Sequence, residues 1–304
     1  MEHKRPDISI VVPCYNEEES LPLFLRELER VAEQMRQADD LTFEVVLIDD
    51  GSTDGTLATM KREAQCLPAH FTVRWASFSR NFGKEAALYA GLSHATGELV
   101  ATMDADMQDP PSLLPEMYRI ITTEDVDNVA TRRTTREGEP PIRSLFARMF
   151  YKLINKISKA DIVDGARDFR LMKRPMVDAI LSMREYNRFS KGIYGWVGFK
   201  TRWLPYVNVN RVAGETKWSF FSLLLYSIDG IVAFSTVPLS IASVVGTLLC
   251  IVAFFALIFI IAPRPALWRP RRRVAVPRLH HHLHWGHPAA MPGNHGAIPG
   301  KNIP

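Results

Sequence analysis

Apolar residues in the first half of the chain fall into short runs separated by longer segments of helical periodicity. Runs rich in Ile, Val and Leu are typical of strands buried on both faces of a sheet. The segments between them space apolar residues three and four positions apart, which predicts amphipathic helices. The predicted strands are Ile8–Val12, Phe43–Ile48, Val73–Ser77, Leu99–Met103 and Asn128–Thr131. The predicted helices are Glu18–Arg36, Thr53–Ala64, Lys84–His94 and Ser112–Thr122.

Strands that alternate with helices predict an α/β fold with a mostly parallel sheet, because right-handed crossovers return each strand in the same direction. Ligands of such sheets bind at the carboxyl ends of the strands. Polar segments occur at these ends, and they are Pro13–Glu19, Asp49–Asp54 and Asp104–Asp109. The sequence therefore predicts a binding site built from these segments.

Asp104 and Asp106 follow a predicted buried strand and lie two positions apart at the start of a turn. Both carboxylates can face one divalent cation, and Mg²⁺ or Mn²⁺ prefers such oxygen ligands together with substrate phosphates. Gln108 and Asp109 extend the polar cluster. An Asp-x-Asp pair is equally consistent with an ordinary turn, so its spacing alone leaves the metal site open.

Other segments offer ligands for a nucleotide or a phosphate. Asp49 and Asp50 end the second strand, where a carboxylate can accept hydrogen bonds from a base or a ribose, although the same segment could simply cap the next helix. Tyr15 and Glu17 would add to a base pocket. The segment Arg80–Lys84 offers two cations and a glycine beside a helix start, which suits either a phosphate or a solvated loop.

The composition changes toward the C-terminus. Residues Ile142–Trp203 mix helical and strand-like patterns and are rich in Arg, Lys and aromatic residues. Ser219–Ala233 has apolar residues at helical spacing and few charges, which predicts an amphipathic helix at a membrane interface. Phe234–Ala262 contains no charged residue, and its length suits a membrane span or a buried core helix. The predicted organisation is therefore a catalytic domain (1–218), an interfacial helix (219–233), a transmembrane segment (234–262) and a tail (263–304).

The basic charge of the chain is concentrated in that tail. The formal net charge is +4, but residues 263–304 contain many Arg and no acid, so the rest of the chain does not indicate nucleic-acid binding. A segment this dense in Pro, Arg, His and Gly predicts disorder. Three cysteines without paired spacing, and no apolar leader before Ile8, predict a reducing, cytosolic setting for the first domain.

Eight ordered motifs resemble those of the family 2 glycosyltransferases, and within them the polyprenyl-phosphate glycosyltransferases, such as dolichol-phosphate mannose synthase and the bactoprenol glucosyltransferases. The motifs lie between Ile10 and Leu239, and they are VVPCYNEEE, DDGSTD, SFSRNFGKEAAL, DADMQDPP, RDFRLMKR, FSKGIYGWVGFKT, RVAGETKWS and FSTVPL. RNFGKE, DFRLM and the Trp-Val-Gly stretch resemble the bactoprenol enzymes more closely than the mannose synthases.

This resemblance implies a GT-A fold followed by an interfacial helix and a transmembrane helix. It implies an inverting transfer of a sugar, with glucose expected, from a nucleotide-diphosphate sugar such as UDP-glucose to a polyprenyl phosphate such as undecaprenyl phosphate. Mg²⁺ or Mn²⁺ is the expected cofactor. The expected location is the cell (inner) membrane with the catalytic domain in the cytoplasm. Whether the chain forms a homo-oligomer is left open.

The resemblance also implies roles for individual residues. Asp104, Asp106 and Gln108 are expected to hold the metal and the diphosphate, and Asp104, Asp106 and Asp168 are the expected catalytic residues. The expected nucleotide-sugar ligands are Pro13, Tyr15, Glu17, Asp49, Asp50, Lys84 and Asp104. The expected ligands of donor or acceptor phosphates are Arg202, Arg211 and Lys217.

A polyprenyl phosphate is already an anionic nucleophile near neutral pH, so such a site needs positive charge more than it needs a strong base. Two alternatives remain. A processive polysaccharide synthase of the same superfamily would carry a Gln-x-x-Arg-Trp motif, which the sequence lacks. An inactive membrane-bound relative would be expected to have lost acids of the metal motif, but Asp104 and Asp106 are present.

The similarity stops near Ala262, where related bactoprenol glucosyltransferases have a second transmembrane helix. A Pro-, Arg- and His-rich ending is typical of a shifted reading frame in a GC-rich gene, so we expect that the native C-terminus is missing. A single crossing would place Arg264–Arg278 outside the cytosol, against the positive-inside rule. The number of membrane passes therefore stays open.

Overall fold

The computed structural model describes residues 5–66, 71–134, 163, 165–185, 188–207 and 235–262. By its internal contacts the chain divides into two units, Met1–Thr247 and Leu248–Pro304, and the sheet lies in the first of them. The predicted interfacial helix at 219–233 and the tail at 263–304 lie outside the described residues.

The described part of the first unit is built on a mixed sheet whose strands follow the order β3-β2-β1-β4-β6-β5-β7. Strand β6 runs antiparallel to β4 and β5, and the other neighbouring pairs are parallel. The strands are β1 (Ile8–Cys14), β2 (Phe43–Asp49), β3 (Phe71–Ser77), β4 (Leu99–Thr102), β5 (Asn128–Arg133), β6 (Ala166–Lys173) and β7 (Thr201–Tyr206). The predicted α/β fold with a mostly parallel sheet is confirmed.

Helices cover both faces of this sheet. They are α1 (Leu21–Asp39), α2 (Thr56–Cys66), α3 (Lys84–His94), a 3₁₀ turn at Pro111–Leu113, α4 (Leu114–Thr123), α5 (Arg174–Ser182) and α6 (Ser190–Trp196). Helices α1, α2 and α4 contribute to one hydrophobic core and α3, α5 and α6 to the other. Strand β1 is buried between the two cores, with Ile10 and Val12 in the first and Val11 in the second. Burial on both faces explains why its sequence is almost continuously apolar.

Helix α1 begins at Leu21 and not at the predicted Glu18, because the residues before it are bonded to a neighbouring loop. The Glu18 carboxylate accepts a hydrogen bond from the Gly55 N–H at 2.9 Å, and the Glu17 N–H donates to the Thr56 hydroxyl at 2.7 Å. The segment after β1 is thus tied to the segment after β2. These two loops form one wall of the edge where the carboxyl ends of β1 and β2 lie.

The last described element is α7 (Val237–Ile261). Its segment Leu239–Ile261 has 23 residues and a mean hydropathy of 3.1, and none of its most apolar stretch is buried. By length and composition this helix is a candidate membrane span. Exposure of this stretch argues against the alternative of a buried core helix.

Candidate active site

The sheet topology brings polar residues that are distant in sequence to one edge. The carboxyl ends of β1, β2 and β4 lie there together with the amino end of β6, because β6 runs antiparallel beside β4. Asp104 and Asp106 follow β4, and Asp168 lies near the start of β6. The predicted meeting of polar strand ends is therefore observed, with β6 as an additional contributor.

Lys84, the first residue of α3, joins two of these acids. Its ammonium donates to the Asp104 carboxylate at 2.7 Å and to the Asp168 carboxylate at 2.6 Å. Burial would lower the pKa of Lys84, but the negative charges of Asp104 and Asp168 outweigh burial and raise it. Lys84 therefore carries its proton at neutral pH and holds both carboxylates in one cluster.

The two acids respond differently to this environment. Burial raises the pKa of Asp104, and the charges of Asp168, Asp106 and Asp109 add to that effect against the attraction of Lys84. Burial also opposes ionisation of Asp168, yet attraction by Lys84 and then by Lys191 brings the pKa of Asp168 well below its usual range. The cluster is rich in negative charge, which suits a further cation.

The loop after β4 is held by a second ion pair. Asp109 is fully buried, and its carboxylate accepts hydrogen bonds from Arg167 Nε at 2.9 and 3.2 Å and from the Tyr206 hydroxyl. Arg167 also donates to the Gln108 amide oxygen at 3.3 Å. This network connects the loop to β6 and β7, and it occupies the Gln108 oxygen that the sequence predicts as a metal ligand.

The backbone of the same loop adopts an unusual conformation. Met107 has a φ of 62°, in the left-handed region that non-glycine residues seldom adopt. Asp106 is 8% exposed, and its carboxylate accepts a hydrogen bond from the Gln108 N–H at 3.1 Å. The loop is thus a tight turn that keeps Asp106 close to Asp104.

Asp49 and Asp50 are both buried and organise the neighbouring loops. The Asp49 carboxylate accepts hydrogen bonds from the Ser52 N–H at 3.0 Å and the Ser77 hydroxyl at 2.6 Å. The Asp50 carboxylate accepts from the backbone N–H groups of Phe82 at 2.7 Å and Gly83 at 3.0 Å. Burial raises the pKa of Asp50 against these hydrogen bonds. Both acids shape the loop that leads into Lys84, and their direct contact with a nucleotide stays a prediction.

The loop after β1 lies beside them. Pro13 is the penultimate residue of β1, and Tyr15 and Glu17 follow the strand. A cavity of about 230 Å³ is lined by the loop residues 16–20 and by Asp54. These three predicted nucleotide-sugar ligands are therefore at the expected edge of the sheet, and their contact with a nucleotide sugar stays a prediction.

One predicted phosphate ligand lies elsewhere. Arg202 pairs in register with Val129 near the start of β5, so it lies at the amino end of two strands that run parallel to β1. Its guanidinium lies 3.5 Å from the Glu124 carboxylate at the end of α4. The structure does not bring Arg202 to the acidic cluster, which lies at the opposite edge of the sheet, and a contact of Arg202 with a donor or acceptor phosphate stays a prediction. Arg211 and Lys217 lie outside the described residues.

The sequence matches a known family over most of this assembly. The profile of Glycosyl transferase family 2 matches residues 9–181, which include β1 to β6 and the acidic cluster around Lys84. The chain belongs to glycosyl transferase family 2. It is therefore a glycosyltransferase, as its motifs predict, and the GT-A type of fold expected for the family agrees with its sheet.

Relatives of this family 2 chain support the assignment over most of its length. It is 41% identical over 255 residues to CsbB of Bacillus subtilis, covering 84% of this chain and 74% of CsbB. It is 40% identical over 247 residues to the prophage bactoprenol glucosyl transferase homolog of Escherichia coli K12, covering 81% of this chain and 78% of the relative. The bactoprenol glucosyl transferase of Shigella phage SfX is 38% identical over 81% of this chain and 78% of its own length.

A solved structure shows a weaker likeness to this glycosyltransferase. The mannosyltransferase PcManGT of Pyrobaculum calidifontis, in complex with GDP-Man and Mn²⁺, has a TM-score of 0.48 and 25% identity over 69% of this chain and 58% of its own.

Arg167 and Tyr206 belong to the site but are not predicted by the sequence analysis. For Arg167 the alternation of side-chain directions along β6 is a usable signal, because successive side chains of a strand point to opposite faces. Arg167 contacts Asp109 on one face, whereas Asp168 contacts Lys84 of α3 on the other. The role of Tyr206 left no such signal, since only the position of β7 in the sheet brings it to Asp109.

Proposed function

We propose that this glycosyltransferase moves a sugar, glucose, from UDP-glucose to a polyprenyl phosphate such as undecaprenyl phosphate at the cytoplasmic face of the cell membrane. The lipid-linked sugar would then be the donor for the modification of cell-envelope glycans. The relatives named bactoprenol glucosyl transferases, each matched over 78% of its own length, support the choice of sugar and acceptor.

The observation that carries the proposal is the cluster at the sheet edge, in which Lys84 joins Asp104 and Asp168 at 2.7 and 2.6 Å. It lies at the carboxyl ends of the strands, beside the loops after β1 and β2, where nucleotides bind in sheets of this kind. A diphosphate needs positive charge, and the site offers the Lys84 ammonium together with carboxylates that suit a metal ion.

The residues of the site fit a divalent cation. Among the described residues no group of three or more His, Cys, Asp or Glu side chains forms a metal site by itself. Mg²⁺ and Mn²⁺ nevertheless need only one or two carboxylates when substrate phosphates complete the ligand set. Asp104 and Asp106 would hold the metal, which supplies positive charge for the departing diphosphate. Gln108 would join them only after its oxygen leaves Arg167, to which it is bonded at 3.3 Å.

The proposed reaction depends on the positioning of the two substrates more than on proton transfer. A phosphate oxygen of the acceptor attacks C1 of the sugar, the bond from C1 to the diphosphate oxygen breaks, and the configuration at C1 inverts. The attacking oxygen is already anionic, so no strong base is required. Lys84 would neutralise the negative charge of a substrate phosphate. Asp168, which accepts a hydrogen bond from Lys84, would face the reacting carbon of the sugar.

The membrane part of the proposal rests on α7, whose segment Leu239–Ile261 is a candidate span. We propose that the catalytic domain comprises residues 1–218, that residues 219–233 lie at the membrane surface, and that the span follows. Arg211 and Lys217 would then meet the phosphate of the lipid near the headgroup plane, just before the surface helix. Their contribution would be charge-assisted hydrogen bonds.

A direct test uses the full chain in detergent with undecaprenyl phosphate, Mg²⁺ or Mn²⁺, and radiolabelled nucleotide sugars supplied one at a time. We expect label from UDP-glucose in the organic phase, and loss of that label when the metal is chelated. A Lys200→Ala variant is the matched control, because Lys200 directly precedes β7 at the far edge of the sheet, is mostly exposed and should keep full activity. Transfer from none of the donors would refute the proposal, and label in an insoluble glycan would favour a processive synthase.

A further inference from the structure

A buried arginine on β6 has no salt-bridge partner among the described residues. Arg170 is 2% exposed, and its guanidinium carbon lies 3.4 Å from the centre of the Tyr194 ring on α6. One of its nitrogens donates to the Arg167 carbonyl at 3.3 Å. Among the described residues, Arg170 Nε has no hydrogen-bond partner and no carboxylate forms a salt bridge with the side chain.

Such an arrangement is costly for a residue that only fills the core. Burial of a charge without an ion pair is unfavourable, and an apolar side chain of similar volume is often neutral or stabilising at such a place. Burial accordingly lowers the pKa of Arg170, against the opposing effects of Tyr194 and Asp168. An unsatisfied buried donor in a folded protein calls for an explanation, and a role at a nearby site is one of the few available.

Arg170 lies on the same face of β6 as Asp168. The two residues are two positions apart on a strand, which separates their Cα atoms by roughly 6.6 Å and points both side chains to one face. Asp168 contacts Lys84 of α3, and Arg170 contacts Tyr194 of α6, so both side chains face the layer of α3, α5 and α6. The two side chains therefore share one face of β6, with Arg170 farther from the sheet edge, and the charge of Asp168 acts to raise the pKa of Arg170 against burial.

Helix α6 is fixed in place by another contact. Glu85, the neighbour of Lys84, accepts hydrogen bonds from the Ser190 N–H at 3.0 and 3.1 Å and from the Ser190 hydroxyl. The first turn of α3 thus holds both the Asp168 carboxylate, through Lys84, and the start of α6, through Glu85. Tyr194 belongs to the same helix. Its ring, over which the Arg170 guanidinium lies, is therefore held in a fixed position relative to Asp168.

We propose that Arg170 is a positioning residue that holds the Asp168 carboxylate in place during turnover, when the Lys84 ammonium turns from Asp168 toward the phosphates of the substrates. The inference rests on the proposed function, because a diphosphate and a phosphate would compete with Asp168 for Lys84. With Lys84 turned away, Asp168 would keep the attraction of Lys191 and Arg167 but no hydrogen bond to a cation among the described residues. The unpaired Nε of Arg170 is the donor that can replace the lysine contact.

The test compares Arg170→Met, Arg170→Lys and Arg188→Met with the wild-type full chain in detergent, using kcat and KM for UDP-glucose together with the thermal midpoint Tm. Arg188 is a matched control, because its guanidinium also lies over a tyrosine, Tyr89, at 4.7 Å and its Nε also has no hydrogen-bond partner in the part of the chain that the structure describes. Its other nitrogens bond carbonyls at the end of α5, away from the acidic cluster.

We expect Arg170→Met to lower kcat by about 10- to 100-fold, the effect of one lost charge-assisted hydrogen bond, with KM nearly unchanged and Tm equal to or above that of the wild type. Arg170→Lys should recover much of the lost kcat because it keeps the charge. Arg188→Met should leave kcat unchanged.

An unchanged kcat in Arg170→Met would overturn the inference. A kcat of Arg170→Lys as low as that of Arg170→Met would overturn it as well, since charge would then not matter. A fall in Tm that parallels the loss of kcat would show that Arg170 only supports the fold. If the wild type itself forms no lipid-linked sugar, the proposed function fails, which is a different outcome from any of these.

Discussion

The buried pair of Asp109 and Arg167 makes a sharp prediction about stability. Asp109 is fully buried, and Arg167 has a side-chain exposure of 20%. In Asp109→Asn the amide keeps an oxygen that can accept a hydrogen bond from the Tyr206 hydroxyl. The variant loses the negative charge that compensates the positive charge of Arg167. The guanidinium would then be left in a mostly buried place where this loop offers it neutral oxygens but no negative charge.

The expected loss follows from the geometry of the pair. Removing one partner of a buried ion pair costs about 3–5 kcal/mol, whereas removing both partners costs much less. For a domain of this size each kcal/mol shifts Tm by about 2–4 °C, so Asp109→Asn should lower Tm by roughly 6–20 °C. Arg167→Met should lower Tm by a similar amount because it leaves Asp109 uncompensated. The double variant should be more stable than either single one.

The assay is thermal unfolding of the full chain in detergent, followed by circular dichroism, for the wild type, both single variants and the double variant. Asp125→Asn is the matched control, because the ion pair between Asp125 and Lys200 is largely exposed and should be worth nothing measurable. The reasoning fails if Asp109→Asn unfolds within 2 °C or so of the wild type. It fails equally if the losses of the two single variants simply add in the double variant, because coupled residues should not behave additively.

Three further predictions concern other parts of the chain. Asp106→Asn should lower kcat at least about 100-fold, roughly 3 kcal/mol, with an unchanged circular dichroism spectrum, and near-normal activity would exclude a metal role. Burial would raise the pKa of Glu44, but hydrogen bonds from β1, β3 and the loop before β4 lower it. These hydrogen bonds to the ionised carboxylate therefore stabilise the folded protein above about pH 4.3, and that stabilisation is lost as the pH falls further. Glu44→Gln should therefore lower Tm at pH 7, and the gap to the wild type should narrow as the pH falls below about 4.3; a constant gap would contradict this. Gly51→Ala should lower Tm, because φ is 66° and the new Cβ would lie 2.3 Å from the Arg80 carbonyl carbon; an unchanged Tm would show that this loop yields easily.

Local sequence was sufficient for the elements of the first half of the chain. The apolar runs of β1 and β2 and the 3.6-residue periodicity of α1 and α4 reflect burial on two faces and on one face respectively, and both patterns can be read from neighbouring residues. The Asp-x-Asp pair after β4 could be found in the same way. Its place at a strand end follows from the strand prediction alone.

Only the tertiary structure decided which of the charged residues meet. Lys84 lies 20 positions from Asp104 and 84 positions from Asp168, and their contact depends on β6 entering the sheet antiparallel beside β4. Strand direction also decided the place of Arg202, which directly follows a matching segment and lies at the amino end of β7. Side-chain periodicity within a segment is a local property, whereas the order and direction of strands in a sheet depend on backbone pairing with distant segments.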